Sequence, residues 1–362
     1  MAKIIFITPE LNIATGTLRV VNLWANYLSN HTNHAITIVS NITNPSYYPF
    51  TSNVDVKQYG FNFNLRIINI PYNLIQLYRY LNSLSREETI HLIIDKSLLI
   101  EPLWILKKMR LFENINFIYF THAGSSAFKE FYLSRSHTKH RVKMMFEAFD
   151  KVVCLFDDEK NYPTMVKEEK LLFLSNPIPF EPSSVNIEKK ENIILYLGRV
   201  EKKKGIDTLL EAWALVDQSE WKLQIVGDGI EKEEFKLLAK ELDILNSVEF
   251  IKSQVDVKKY YNKSKIFVLP SIFEGMPMVI LEAMACKATV ISSDTAGGLR
   301  LIEENQTGLL FKKGDKYELA KKINYLIRDK NQRNKLANNA YIYINKHSIK
   351  TVAPNWIPIL NE

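Results

Sequence analysis

Short apolar runs alternate with amphipathic helical patterns along the chain, and this alternation limits the possible folds more than any other feature. In the first half, the predicted strands are Lys3–Thr8, Ala35–Ser40, Ile90–Ile94, Asn116–Thr121, Val152–Phe156 and Lys170–Leu174. In the second half they are Asn192–Leu197, Lys222–Val226, Ser247–Ile251, Lys265–Leu269, Ala288–Ser292 and Gly308–Phe311. Strands that alternate with helices are typical of doubly wound parallel sheets, so we predict an α/β fold.

The length of 362 residues exceeds one typical hydrophobic core, which favours two domains. A Pro- and Ser-rich stretch without periodicity separates the two series of strands. We therefore predict an N-terminal Rossmann-like domain over 1–176, a linker over 177–191 and a second Rossmann-like domain over 192–345. The remaining tail, 346–362, carries Trp356, and we expect it to dock on a domain surface.

Composition excludes several classes of protein. Apolar residues make up 46% and charged residues 24%, which is typical of globular chains. No apolar run is long enough to cross a membrane, and the two cysteines form no CxxC pair, so we expect a cytoplasmic protein without a zinc site. The net charge of +7 suits an anionic ligand or an anionic membrane surface. Because basic and acidic residues are interleaved, we expect no nucleic-acid partner.

Two glutamates eight residues apart, Glu274 and Glu282, mark the most informative segment. Glu274 lies in a predicted strand-to-helix turn, where free N–H groups and the helix dipole favour an anion. Glu282 follows about two turns, roughly 12 Å, further along the helix. The pair suits an elongated ligand such as a nucleotide-sugar. Taken alone, the spacing equally allows Glu282 to be an exposed or salt-bridged helix residue.

Two strand ends in the second half carry glycines next to charged residues. Gly198, Arg199 and Lys204 follow one strand, where a glycine permits close approach and the cations can bind phosphate, although a solvated charge run remains possible. Gly227 and Asp228 follow the next strand, where the alternative is an ordinary turn in which Asp228 caps a helix.

The first half offers weaker signals. Gly16 lies in a loop after the first strand that lacks the dinucleotide-binding spacing, and His122 ends a strand that we predict to be central. Basic residues accompany aromatic ones at Lys107–Arg110 and Lys129–Lys143, which suits an anionic bilayer or an ordinary solvated helix face.

Taken in order, these segments resemble the retaining family-4 glycosyltransferases of the GT-B fold, in which two Rossmann-like domains face each other across a cleft. The resemblance implies that Arg199 and Lys204 neutralise the donor diphosphate and that Glu282 binds the ribose. Glu274 and the N–H groups of Gly275 and Met276 would hold the transferred sugar, with His122 near the reacting carbon. The remaining donor-binding residues that it implies are Gly16, Gly198, Gly227, Pro277 and Met278. No metal or other cofactor is expected.

The chain departs from the family at three positions. Thr15 and Lys252 stand where glycines are usual, and Leu301 stands where a glutamate is common.

We therefore predict a peripheral membrane enzyme that moves a hexose or N-acetylhexosamine from a nucleoside-diphosphate sugar, most simply UDP-linked, to a glycan or lipid-linked glycan acceptor. The alternatives are a sugar-nucleotide epimerase of the same fold and a non-enzymatic protein that binds nucleotides or nucleic acid. The Glu274–Glu282 pattern argues against the epimerase.

Overall fold

The computed structural model describes residues 2–41, 46–62, 70–95, 97–122, 143–144, 146–155, 168–182, 185–218 and 220–360. The chain divides into two compact units. The first contains Met1–Pro177 together with Val352–Glu362, and the second contains Ile178–Thr351.

The first unit is built on a seven-stranded sheet whose strand pairings are all parallel among the described residues. The strands are β1 Lys3–Ile7, β2 Ala35–Ser40, β3 Val54–Gln58, β4 Ile90–Ile94, β5 Ile115–Phe120, β6 Lys151–Cys154 and β7 Leu171–Phe173. Their order is β3-β2-β1-β4-β5-β6-β7. Helices α1 Gly16–His31, α2 Ile70–Asn82 and α3 Ile100–Lys108 connect them.

The second unit contains a six-stranded parallel sheet. Its strands are β8 Glu191–Leu197, β9 Lys222–Val226, β10 Val248–Ile251, β11 Ser264–Leu269, β12 Thr289–Ser293 and β13 Gly308–Phe311, in the order β10-β9-β8-β11-β12-β13. Its helices are α4 Ile206–Trp213, α5 Lys232–Glu241, α6 Lys258–Lys263, α7 Met278–Ala285, α8 Ala296–Leu301, α9 Lys316–Arg328 and α10 Lys330–Tyr343. The order matches that of a Rossmann fold.

Both sheets confirm the predicted α/β class, because buried apolar strands need helices on their faces. The sequence analysis missed β3, which lies at the sheet edge and exposes most of its side chains. An edge strand with alternating Val and charged residues lacks the apolar run by which the other strands were found.

The chain passes between the units twice. Residues of the expected linker after Pro177 belong to the second unit, where the Ile178 N–H donates to the His347 carbonyl at 2.8 Å. Short helix α11 Ile349–Val352 spans the boundary at Thr351, after which the chain returns to the first unit with helix α12 Ile357–Leu360. Trp356 is buried there against Trp24, with ring centroids 5.5 Å apart.

Candidate active site

The strand order of the second unit reverses between β8 and β11. In open parallel sheets, ligands bind outside the carboxyl ends of the strands at such a reversal. Gly198 and Arg199 directly follow β8, and Ser271 and Glu274 follow β11. The sheet therefore brings two segments that are about seventy residues apart in sequence to one edge.

Lys204 and Glu274 contact each other directly at this edge. The Lys204 Nζ lies 2.7 Å from Glu274 Oε1, and the Ser271 hydroxyl donates to the same oxygen at 2.7 Å. Among the described residues, no group donates a hydrogen bond to the other oxygen, Oε2. Because the Glu274 side chain is only partly exposed, its carboxylate is held in one orientation with one oxygen able to accept from a ligand.

The position of Lys204 depends on the glycine that follows it. Gly205 has a φ of 67°, and a Cβ at this residue would lie 2.1 Å from the Pro270 carbonyl oxygen. The turn over Lys202–Lys204 can therefore pack against the end of β11 only with glycine at position 205.

Arg199 is half exposed and pairs with a residue that the sequence analysis did not identify. Its Nη1 lies 2.8 Å from Glu201 Oε1, and the Lys203 Nζ lies 2.8 Å from Glu201 Oε2. Burial would raise the pKa of Glu201, but the hydrogen bond from Lys203 and the charge of Arg199 outweigh it, so that the pKa is lowered. Glu201 is therefore an anion already bound to Arg199, with which an incoming phosphate would compete.

Glycines Gly227 and Gly229 allow neighbouring loops to touch. A Cβ at Gly227 would lie 1.8 Å from the Gly198 carbonyl oxygen, and one at Gly229 would lie 2.0 Å from that of Val200. Asp228 accepts hydrogen bonds from Lys232 and from the Ser253 N–H. The alternative in which Asp228 caps the following helix is wrong, since α5 begins after Glu231 without a side-chain cap.

Helix α7 begins directly after Pro277, with Met276, Pro277 and Met278 buried and Gly275 partly exposed. A Cβ on Gly297 would lie 2.6 Å from the Gly275 carbonyl oxygen, so the turn packs closely against α8. In α8, Leu301 is buried. It is one of the three departures from the family pattern, and its apolar side chain offers no polar contact.

Glu282 lies on the buried face of α7 and is only 1% exposed. The Tyr261 hydroxyl donates to its Oε2 at 2.8 Å. An exposed helix residue, which the spacing alone allowed, is therefore wrong.

Gly16 begins α1, whose N-cap is Thr15, and the Thr15 hydroxyl accepts from the Leu18 N–H at 3.1 Å. Among the residues that the structure describes, none would come within 4 Å of a Cβ on Gly16. The departure at Thr15 thus has a local explanation in helix capping, whereas no packing demand accounts for glycine at position 16.

His122 follows β5 in the left-handed region, with a φ of 48°, and its ring stacks on Phe120. Its Nε2 lies 4.0 Å from Asp95 Oδ2, and the Asp95 side chain is 3% exposed. Asp95 was missed in the sequence, although it directly follows the strand at Ile94. The parallel pairing of β4 with β5 brings these two strand ends together.

The structure describes one of the two predicted basic segments, Lys107–Arg110, and only the last residue of the other, Lys129–Lys143. Residues 129–142 lie outside the described part of the chain. Lys107 is paired with Asp150 at 2.7 Å, and Lys108 lies 3.8 Å from Glu147 and over the Trp104 ring. Part of the positive charge expected at Lys107–Arg110 is therefore neutralised within the protein.

Among the described residues, no helix is long and apolar enough to cross a membrane. Within the same ranges, no group of three or more His, Cys, Asp or Glu residues could hold a metal ion.

Comparison with known proteins finds glycosyltransferases among the relatives of this chain. Residues 177–343 match the family model "Glycosyl transferases group 1". Over its whole length the chain is 26% identical to the amylovoran biosynthesis glycosyltransferase AmsD of Erwinia amylovora, all of which is covered. Over 57% of this chain and 58% of its relative, it is 34% identical to the Campylobacter jejuni protein named GalNAc-alpha-(1->4)-GalNAc-alpha-(1->3)-diNAcBac-PP-undecaprenol alpha-1,4-N-acetyl-D-galactosaminyltransferase.

Among solved structures, Anabaena Alr3699/HepE in complex with UDP and glucose superposes with a TM-score of 0.78. The sequences are 16% identical and the match covers 100% of both chains, which shows a shared fold and confirms the GT-B class. The match to the family model over residues 177–343 and the names of these relatives show that the chain is similar to the group 1 glycosyltransferases.

Proposed function

We propose that this enzyme is a retaining glycosyltransferase that moves a hexose or N-acetylhexosamine from a UDP-sugar to a growing glycan. The names of its relatives support this proposal: one acts in amylovoran biosynthesis, and another is an N-acetyl-D-galactosaminyltransferase named for an undecaprenol-linked glycan. The acceptor would be a surface polysaccharide, a lipooligosaccharide or a lipid-linked oligosaccharide.

The orientation of Glu274 is the observation on which the proposal depends. Lys204 and Ser271 both donate to Oε1, so the carboxyl group cannot turn freely. Oε2 is then available to accept a hydrogen bond from a sugar hydroxyl. Such a fixed acceptor suits the recognition of a sugar better than general binding of an anion, which a carboxylate would repel.

Arg199 and Lys204 supply the positive charge that the reaction needs. When the bond between the sugar C1 and the diphosphate breaks, negative charge grows on the leaving diphosphate. Fixed cations near that charge stabilise the transition state. We propose that these two side chains and the N-terminus of α7 serve this purpose without a metal ion.

A screen of nucleotide-sugars for thermal stabilisation tests the donor. A ligand present at about 100 times its Kd stabilises the folded state by about 2.7 kcal/mol, so the correct donor should raise the Tm clearly. Transfer from that donor should continue in the presence of EDTA. Loss of transfer with EDTA and its recovery with magnesium or manganese would contradict the metal-free mechanism, and stabilisation by no nucleotide-sugar would contradict the function.

We further propose that the first unit binds the surface of an anionic membrane. Helix α2 exposes Tyr72, Ile75 and Tyr78, which are three residues apart and share one face, and α3 exposes Lys108 at its end.

Reversing the charges of Lys108 and Arg110 should release the protein from anionic liposomes at low salt. A wild type that binds neither neutral nor anionic liposomes would show that the face is solvated, and equal binding to both would contradict the role of the charges.

A further inference from the structure

Lys232 is the first residue of α5, and nothing in the sequence distinguishes it from the exposed lysines around it. In the structure its side chain is only 12% exposed. Its Nζ donates to the Gly227 carbonyl at 2.8 Å, to Asp228 Oδ1 at 2.9 Å and to the Ile251 carbonyl at 3.2 Å. An ammonium group has three donors, so all of them are used within the protein.

Asp228 completes this arrangement from the other side. While Oδ1 accepts from Lys232, Oδ2 accepts from the Ser253 N–H at 2.8 Å. The hydrogen bonds from Lys232 and from Ser253 lower the pKa of Asp228 to about 2, so the carboxylate is charged at neutral pH. We call Lys232 and Asp228 the loop clasp.

The loop clasp joins three strand ends at the carboxyl edge of the sheet. Lys232 links the loop after β9 to the end of β10, and the Gly227 N–H donates to the same Ile251 carbonyl at 3.0 Å. The Val200 N–H donates to the Asp228 carbonyl at 3.0 Å, which fixes the loop after β8. A displacement of the loop clasp would therefore also move the loops that carry Gly198, Arg199 and Gly227.

We propose that Lys232 is a positioning residue for donor binding, acting through Gly227 and Asp228, which it holds against the ends of β8 and β10. The inference rests on the proposed function. Lys232 cannot be a direct ligand for phosphate in this arrangement, because its three N–H groups already have acceptors.

The test compares Lys232→Met with Lys236→Met. Methionine keeps the length and apolar stem of the side chain but has no N–H donors. Lys236 lies four residues further along the same helix, and its exposed ion pair with Glu233, at 2.7 Å, makes no contact with the loops. Both variants lose one positive charge and one ion pair, but only Lys232 donates to the loops, and its side chain is less exposed than that of Lys236.

UDP binding, measured by calorimetry at a temperature where every variant is folded, is the main readout. We expect the Kd of Lys232→Met for UDP to rise about tenfold or more, which corresponds to about 1.4 kcal/mol of binding free energy. The Kd of Lys236→Met should match that of the wild type within about twofold. Amide hydrogen exchange should be faster at Gly227 and Ser253 in Lys232→Met, because their loops open more often. Asp228→Asn keeps an oxygen for the Ser253 N–H and should give an intermediate loss.

The outcomes separate this inference from the proposed function. If the wild type binds UDP and Lys232→Met binds it equally well, Lys232 only stabilises the fold and the inference is overturned, while the proposed function stands. If the wild type binds none of UDP, GDP, ADP and CDP, the proposed function fails and the role of the loop clasp in donor binding fails with it.

Discussion

Glu274 differs from an ordinary surface glutamate because two neighbouring groups donate to the same carboxylate oxygen. Lys204 provides charge, whereas Ser271, which is fully buried, provides direction. The Ser293 hydroxyl donates in turn to the Ser271 carbonyl at 2.5 Å, so the serine is itself held in place. The position of Glu274 therefore depends on Lys204 and Ser271, and through Ser271 on Ser293.

Removing the Ser271 hydroxyl should reduce transfer without unfolding the enzyme. A hydrogen bond to a charged group is worth about 1.5–3 kcal/mol, so Ser271→Ala should lower kcat/KM by roughly ten- to a hundredfold. Ser292→Ala is the matched control, because the Ser292 hydroxyl is also buried but donates to the Ser293 carbonyl instead. Equal kcat/KM for the two variants would show that Ser271 does not orient Glu274.

Two glycines that begin or precede helices have different structural reasons for being glycine. A Cβ at Gly227 would lie 1.8 Å from the Gly198 carbonyl oxygen. A Cβ at Gly16, the first residue of α1, would meet no atom of the described residues within 4 Å. The first glycine is thus required by the fold. The described residues around the second impose no such requirement, so the donor contact expected at Gly16 stays a prediction.

Substituting each glycine by alanine tests this difference. Gly227→Ala should destabilise the protein by about 1–3 kcal/mol or more, because the loops must separate, and its Tm should fall. Gly16→Ala should leave the Tm unchanged or slightly higher, since alanine favours a helix, while transfer activity falls. Full activity in Gly16→Ala would mean that the donor does not approach the start of α1.

The sequence predicted most strands because buried parallel strands are continuous apolar runs, as at Ile90–Ile94. It also predicted that the segments carrying Lys204 and Glu274 follow strand ends, which is where the two side chains contact each other. It missed Asp95 and Lys232 for another reason. In a sequence, a single charged residue after a strand or at a helix start resembles a solvated one. The partners are known only from the fold, which brings His122 beside Asp95 and the Ile251 carbonyl beside Lys232.

The first unit is completed by the end of the chain. Trp356 is 2% exposed and its ring meets those of Trp24 and Phe6 edge-on, with centroids 5.5 and 6.2 Å away. The first unit therefore cannot close its apolar surface until the second unit has been synthesised. Folding of the two units is linked through this connectivity, whatever the stability of each sheet alone.

The second unit contains a histidine that should make stability depend on pH. Burial, with a smaller contribution from the charge of Lys346, lowers the pKa of His347 from 6.5 to about 4. Its backbone carbonyl accepts the Ile178 N–H, so it lies beside both chain passages between the units. Between those two pKa values the unfolded chain binds a proton that the folded protein excludes.

The contribution of His347 to the free energy of unfolding should therefore be constant above about pH 6.5. It should fall as the pH is lowered from there to about 4, and it should level off below that. The total loss from His347 is at most about 3.5 kcal/mol, since each pKa unit corresponds to about 1.4 kcal/mol. Urea unfolding between pH 4 and 7.5 measures this, and His347→Gln should flatten the dependence. A slope will remain in His347→Gln, because burial also lowers the pKa of His91 in the first unit. Identical slopes for the wild type and His347→Gln would show that His347 is protonated, or becomes exposed, without cost to the fold.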